Sequence, residues 1–505
     1  MSPHDRSDPS AAPARHTSTA ELDAALDAAV AAFAALSSLG RSGRARLLRA
    51  VSTALEADRD DLVTTCEQET GLPTSRLQQE LSRARFQFEH FADVLDDGAY
   101  LEATVDHRGD SPAGPRPDLR RMLLPLGPVG VFGASNFPFA FSVAGGDTAS
   151  ALAAGCPVVA KVHEAHPLTS ASSFRAIRRA AESIGVDTGI LSLVHGQQAG
   201  TELVRHPAVR AVGFTGSLPV GRLLADVAAA RPDPIPFYGE LGALNVVAVC
   251  PAAARARGVD IARGLAGSFT LGVGQYCTKP GLVLIPAGPD GRALRKALIT
   301  AVGEVPSGVM LSERIAGAYA TRSTALAGHA GVTVLAGHSD RRPVDAGGRH
   351  GAPVLLEVDP DQLTGDLLEE CFGPILLVAT YTDVDQLRSI VSRTGPALTG
   401  TIHADGTDSE VSRIVLDILV GRVGRIVWNA FPTGLAVAWA THHGGPYPAS
   451  TSVLHTSVGA TAIRRWLRPV CFQDVPADLL PDELRDEPVD HSLARRVDGT
   501  LRVTS

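Results

Sequence analysis

Apolar residues return every three or four positions through the first hundred residues of the chain. Ser18, Thr19, Ala20 and Glu21 fit a capping box, and Leu22, Leu26, Ala29, Val30 and Phe33 then mark one helical face until Ser37, Ser38 and Gly40 interrupt it. Leu47, Leu48, Val51 and Leu55 predict a second helix. Leu62, Val63 and Cys66 predict a third that stops at Gly71. Pro73 opens a fourth, with Leu77, Leu81, Ala84, Phe88, Phe91 and Leu95 on one face. The chain therefore begins as a helical layer. Between 104 and 121 the composition shifts to Pro, Gly, Asp and Arg, which predicts an irregular excursion or hairpin away from the body.

From Val129 the period shortens. Apolar runs at 129–132, 157–162, 190–195 and 210–215 alternate with helical segments, and that alternation implies a parallel sheet covered on both faces. Nucleotides usually bind such sheets at the carboxyl ends of the strands. Runs at 245–250, 282–286, 332–335, 375–380, 399–403 and 425–428 continue the pattern as a second α/β unit. Beyond 446 the chain is mixed, with one amphipathic helix expected near 459–467 and a Pro- and Asp-rich end.

At 505 residues the chain has room for two or three domains and a deep pocket. Its net charge is -8 and no basic block could track a phosphate backbone, so nucleic acid and anionic membrane are poor partners. No run reaches the roughly 18 apolar residues of a membrane span. Residues 1–17 lack an apolar signal-peptide core and are expected to form a flexible tail. Cys66, Cys156, Cys250, Cys277, Cys371 and Cys471 are scattered, which argues against a disulfide framework or a metal site and suits a reducing compartment. The expectation is a soluble cytoplasmic protein.

The candidate chemistry centres on Cys277, set among Gly272, Gly274, Gln275 and Gly281 before an apolar run. A thiolate adds readily to a carbonyl, and the thioester formed later can be opened by water. A lone cysteine is more often a small buried hydrophobe. Glu240 stands in Phe237-Tyr238-Gly239-Glu240-Leu241-Gly242, where desolvation would make it a general base, although a helix-terminal or surface role fits equally. Asn136, before Phe137 and Pro138, could donate to an oxyanion or merely form a turn. Gly216 and Ser217 lead from a strand into a helix, a place for a pyrophosphate or a structural turn. Lys161 and Glu164 close another strand where ribose hydroxyls would arrive, or are solvated loop charges. Glu370 and Phe372 belong to Glu369-Glu370-Cys371-Phe372-Gly373-Pro374, which alone reads as a loop before a strand.

The order of these motifs is informative. Asn-Phe-Pro, Lys-x-x-Glu, Phe-Thr-Gly-Ser, Glu-Leu-Gly, Gly-Gln-x-Cys and Glu-x-Phe-Gly-Pro succeed one another as in the aldehyde dehydrogenase superfamily, which the chain resembles from about Ala20 to Phe472. The segments around 135–142, 145–155, 443–448 and 467–471 resemble the branch holding 2-oxoglutarate semialdehyde (2,5-dioxopentanoate) dehydrogenases and a bacterial NADP-dependent fatty-aldehyde dehydrogenase.

The resemblance implies an α/β, aldehyde dehydrogenase-like fold. A Rossmann-type cofactor domain would comprise 18–103 and 126–242, an α/β catalytic domain 243–445, and oligomerisation segments 104–125 and 446–505. It implies that Cys277 attacks the aldehyde, that Asn136 and the Cys277 backbone N–H hold the oxyanion, and that Glu240 activates the water that opens the thioester. Lys161 would bond adenosine ribose, Gly216 and Ser217 would lie under the pyrophosphate, and Glu370 and Phe372 would hold nicotinamide ribose and ring. No metal is needed. Glu164 can accept from the adenosine hydroxyls and would repel a 2′-phosphate, which favours NAD over NADP. The expected substrate is 2,5-dioxopentanoate, with a medium or long-chain aldehyde as the alternative and an inactive homologue as a third reading. Ser142, His442, His443 and Ser452 are candidates for a distal carboxylate, whereas Phe137, Phe139, Phe141 and Phe431 could line an apolar funnel. A homodimer or homotetramer is implied.

Overall fold

Ser18 caps the first helix as the sequence predicts: its hydroxyl accepts from Glu21 N and the Glu21 carboxylate accepts from Ser18 N in the computed structural model of the chain. The structure describes residues 16–337, 349–488 and 493–502. Most of the expected tail, 1–17, lies outside the described residues. Its last residue is held, since Thr17 N donates to His195 O at 3.0 Å.

Helices Thr19–Ser38, Gly40–Ala57, Arg59–Thr70 and Thr74–Asp97 form the amino-terminal layer. The third and fourth end at Gly71 (φ 68°) and Gly98 (φ 73°), left-handed positions that suit glycine. Their buried leucines and phenylalanines share one core with helix Gly146–Ala154 and with Trp466, far along the chain.

The first sheet is wholly parallel, in the order Leu191–Val194, Val158–Lys161, Val129–Phe132, Ala211–Thr215, Phe237–Glu240. The order reverses between Val129–Phe132 and Ala211–Thr215, so the carboxyl ends of these strands flank a crevice at a topological switch point. The edge strand Phe237–Glu240 is absent from the hydrophobic pattern because Tyr238, Gly239 and Glu240 dilute it. The second sheet runs Val332–Ala336, Val354–Val358, Ile375–Tyr381, Pro280–Pro286, Asn245–Val249, Ala397–His403, Val423–Trp428. Every position of Pro280–Pro286 is buried, as in a strand covered on both faces. Val332–Ala336 runs antiparallel to its neighbour.

Two expectations are corrected. Of the two alternatives expected for 104–121, the hairpin holds in part and the irregular excursion does not. Thr104–Asp106 and Leu119–Pro125 are strands of a third sheet with Leu467–Gln473, Arg495–Val497 and Thr500–Arg502, and only the hairpin Gly109–Ser111 with Gly114–Arg116 stands apart. Thr104–Asp106 is too short to show a period, and the sheet is completed by strands far along the chain, Leu467–Gln473 beside Leu119–Pro125 and Arg495–Val497 beside Thr104–Asp106. The helix expected near 459–467 is a three-ten segment, Ala460–Trp466. Its tighter pitch accompanies the burial of two adjacent large side chains: Arg465 donates to Asp147 Oδ1 at 2.6 Å and Trp466 Nε1 to Ser150 Oγ at 2.8 Å.

Candidate active site

Cys277 lies between helix Pro251–Thr270 and strand Pro280–Pro286, after three consecutive left-handed residues, Gly272 (φ 56°), Val273 (φ 58°) and Gly274 (φ 64°). A β-branched residue in that region costs about 1–2 kcal/mol, and tertiary contacts must hold it. A Cβ on Gly274 would stand 2.3 Å from the carbonyl carbon of Gly373, and one on Gly281 would stand 2.4 Å from Leu244 Cδ1. These glycines therefore bring the Cys277 loop against the Glu369–Pro374 loop and the second sheet. Asn245 fixes the loop further, donating from Nδ2 to Cys277 O at 2.8 Å and Lys279 O at 3.0 Å while Oδ1 accepts from Thr399 N.

The Cys277 thiol has an unexpected neighbour. Its Sγ is 3.4 Å from His443 Nε2, and His443 Nδ1 is 3.2 Å from Glu240 Oε2. His443 and Glu240 are both buried. Burial pulls the imidazole pKa down, but the Cys277 sulfur and the Glu240 carboxylate more than offset this and push it up to about 10. Burial raises Glu240, and its bond to His443 opposes that rise. The backbone N–H of His443 donates to Thr456 Oγ1 at 2.7 Å, which holds the ring's strand-less segment in place.

Asn136 reaches the same loop. Its Nδ2 donates to Gln275 O at 2.9 Å, and Gln275 Oε1 in turn accepts from Leu311 N at 3.0 Å. One of the two amide N–H bonds is thereby used, and the other is left for a ligand oxygen.

One cavity of about 600 Å³ is lined by Asn136, Lys161, Glu164, Gly216, Ser217, Glu240, Cys277, Glu370 and Phe372, together with His443. All nine residues singled out in the sequence thus face a common space at the carboxyl edge of the first sheet. Lys161 and Glu164 form a 3.8 Å ion pair, and burial lowers the lysine pKa while Glu164 counters it. Gly216 has two constraints: its N–H is committed to Glu240 O at 3.1 Å, and a Cβ there would strike the Phe214 ring at 2.7 Å. Ser217 precedes helix Leu218–Ala229 without capping it through its side chain, so first-turn N–H groups stay open to an anion. Glu370 Oε1 is buried with no hydrogen-bond partner. Burial pushes its carboxyl up to about 7 against the pull of Lys279. A carboxylate with an unmade oxygen and an uncapped helix terminus, both on the wall of one cavity, fit a ribose hydroxyl and a phosphate, so the donor set suits a dinucleotide.

The substrate-end expectations divide. Phe137 and Phe141 line the cavity, whereas Phe139 is fully buried in the core and Phe431 packs on His403 and Gly264. Ser142 lies beneath Gly133 rather than in the cavity, and His443 sits at the sulfur instead of at a distal carboxylate. The pairing of His443 with Cys277 spans 166 positions, and no spacing rule could have signalled it.

A doubly wound sheet whose switch point opens onto a cysteine loop defines an α/β oxidoreductase of the thiol type. The chain belongs to the aldehyde dehydrogenase family, whose profile, "Aldehyde dehydrogenase family", matches residues 2–467. It is 45% identical over 473 residues to alpha-ketoglutaric semialdehyde dehydrogenase 2 of Azospirillum brasilense, covering 92% of this chain and 89% of that protein. It is 38% identical to alpha-ketoglutaric semialdehyde dehydrogenase of Acinetobacter baylyi, over 95% and 91% of the two chains. Among solved structures it superposes on aldehyde dehydrogenase C from Pseudomonas syringae, determined with NAD+ and octanal, with a TM-score of 0.76, 22% identity and coverage of 92% and 91%; this likeness speaks for the fold.

Proposed function

We propose that this chain oxidises 2,5-dioxopentanoate to 2-oxoglutarate through a covalent adduct on Cys277, with NAD preferred over NADP. The observation that carries the reading is the chain Cys277 Sγ, His443, Glu240 inside the cavity, 3.4 and 3.2 Å from link to link. The two semialdehyde dehydrogenase relatives supply the substrate.

His443 Nε2 accepts the thiol proton while Nδ1–H donates to Glu240 Oε2, which fixes the tautomer and stabilises the imidazolium. The sulfur adds to the aldehyde carbon, and the oxyanion meets the remaining Asn136 N–H and the Cys277 backbone N–H. A bound nicotinamide dinucleotide supplies the acceptor for the hydride that leaves this carbon. Water then opens the thioester: Glu240 takes its proton, and the His443 imidazolium returns the thiol proton to the departing Cys277 sulfur. Lys161 and Glu164 would hold the adenosine ribose, Gly216 and Ser217 would border the pyrophosphate, and Glu370 with Phe372 would hold the nicotinamide end. Glu164 supports NAD, because its carboxylate accepts from hydroxyls and repels a phosphate.

The same reading takes 18–103 with 126–242 as the cofactor-binding domain, 243–445 as the catalytic domain, and 104–125 with 446–505 as the oligomerisation segments. Homo-oligomerisation is supported by two sheet edges, Val423–Trp428 and Leu467–Gln473, that end their sheets without a further strand among the described residues. A cytoplasmic location is supported by six cysteines that are all free. No single helix among the described residues is long and apolar enough to cross a membrane.

NADH and NADPH formation with 2,5-dioxopentanoate, succinate semialdehyde and unbranched C8 to C12 aldehydes tests the proposal. The expected result is the highest kcat/KM for 2,5-dioxopentanoate with NAD, and its abolition in Cys277→Ala. Full activity in Cys277→Ala would overturn the mechanism, and a preference for the C8 to C12 series would overturn the substrate.

A further inference from the structure

Helix Thr74–Asp97 carries Arg76, Glu80 and Arg83 on successive turns facing the loop that follows Asn136. Glu80 is buried and accepts from Phe139 N at 2.8 Å and Ala140 N at 3.1 Å, which pins that loop. Arg76 lies over the Phe137 and Tyr276 rings at 5.4 and 5.2 Å and donates from Nη2 to Asn136 O at 2.5 Å. Both residues bond to the loop, although Arg76 Nε and Nη1 are also buried without a partner.

Arg83 does not bond to the loop. Its guanidinium carbon stands 5.7 Å from the Phe137 ring centre and 5.2 Å from that of Phe141, and its Nε and Nη2 are buried with no hydrogen-bond partner. Glu80 Oε2 is unpartnered as well, so Glu80 does not saturate the guanidinium. Nε and Nη2 share one edge of the group, whose parallel N–H bonds match the two oxygens of a carboxylate. Leaving that edge unmade inside the protein is costly unless a ligand closes it. The aromatic faces hold the cation meanwhile.

Arg83 stands behind the part of the cavity wall that these two rings form. Phe141 packs against His443 with ring centres 6.1 Å apart, and His443 touches Cys277. Phe137 and Phe141 line the cavity that Cys277 lines. We propose that Arg83 is the specificity residue of this site and receives the carboxylate at the far end of a short aldehyde acid. The assignment rests on reading the cavity as an aldehyde site. In 2,5-dioxopentanoate four carbon–carbon bonds separate the aldehyde carbon from the carboxylate carbon, and since three backbone bonds span 3.8 Å, four reach about 5 Å. That length passes one aromatic ring, and Phe141 contacts both His443 and Arg83.

Arg83→Met keeps the length and apolar packing of the stem, and Arg83→Lys keeps the charge without the fork. Steady-state kcat and KM are measured for 2,5-dioxopentanoate, succinate semialdehyde and pentanal, with the affinity for 2-oxoglutarate read by calorimetry. In Arg83→Met the KM for both acids is expected to rise about 10- to 100-fold, with kcat within a few-fold. The KM for pentanal should not follow, and 2-oxoglutarate should weaken in parallel with the acids. Arg83→Lys should fall between, and it provides the test if Arg83→Met does not fold. An equal change for all three aldehydes, or unchanged KM for the acids, overturns the proposal and leaves Arg83 as a counter-charge to Glu80. If the wild type prefers succinate semialdehyde and only acids suffer in Arg83→Met, Arg83 keeps its role and the substrate proposed above falls.

Discussion

Replacing His443 by Gln separates proton transfer from packing at the reacting sulfur. Gln can keep a polar contact with Glu240 Oε2 but cannot take a proton from Cys277. The wild-type imidazole is 3.4 Å from one acid and 3.2 Å from the other, so its loss removes the general base and the stabilised imidazolium together. A positioned base contributes about 10²- to 10⁴-fold, roughly 3–5 kcal/mol of barrier, and this is the expected fall in the rate of the NADH burst at pH 7. The rate in His443→Gln should climb as pH rises, because the thiol must then lose its proton to solvent base. Stability should follow a different course. The folded-state pKa of His443, about 10, lies above the unfolded value of 6.5. Its stabilising contribution is therefore complete below about pH 6.5, declines as pH rises, and is lost above about 10. Urea unfolding at pH 7 and at pH 10 should show the gap between wild type and His443→Gln narrowing. A burst rate within three-fold of wild type at pH 7, in a variant that still folds, would refute the assignment of His443 as base.

Two further outcomes concern the dinucleotide. Glu370 titrates at about 7 because it is buried, and its ionised form is the better hydroxyl acceptor, so cofactor affinity should rise as pH climbs through 7. Glu370→Gln should weaken NAD binding about 10-fold and flatten that profile, as read by fluorescence titration. Glu164→Ser removes the carboxylate paired with Lys161 and should raise kcat/KM for NADP relative to NAD by about 10-fold or more; an unchanged ratio would place the discrimination elsewhere.

Much of the site could be read locally. Asn-Phe-Pro, Glu-Leu-Gly and Gly-Gln-x-Cys are each defined by neighbours in the chain, and the elements that follow them are set by short-range patterns. The strand at Pro280–Pro286 is a run of consecutive apolar residues, so its burial on both faces was legible. What could not be read is contact between remote segments. His443 was recognised as chemistry-bearing but set at the wrong end of the substrate, because nothing near it in sequence indicates Cys277. Nothing in the sequence sets Arg83 apart from the other polar positions of its helix, and only packing against Phe137 and Phe141 shows that it is no solvated charge. The third sheet escaped because Thr104–Asp106 pairs with Arg495–Val497, and such strands are stabilised by their partners rather than by their own pattern.

The sequence by itself determined the family, the doubly wound order of elements, and the identity of the groups that line the cavity. The order of elements follows from the hydrophobic period, which neighbouring residues specify, and the family and the site groups follow from the resemblance carried by the ordered motifs. Only the tertiary structure decided how those groups are coupled. It joined the sulfur of Cys277 to the carboxylate of Glu240 through His443, left one oxygen of Glu370 unmade, and set the Arg83 guanidinium against the rings of Phe137 and Phe141. Proton affinity and ligand charge depend on distances of a few ångströms between segments far apart in the chain, and packing sets those distances.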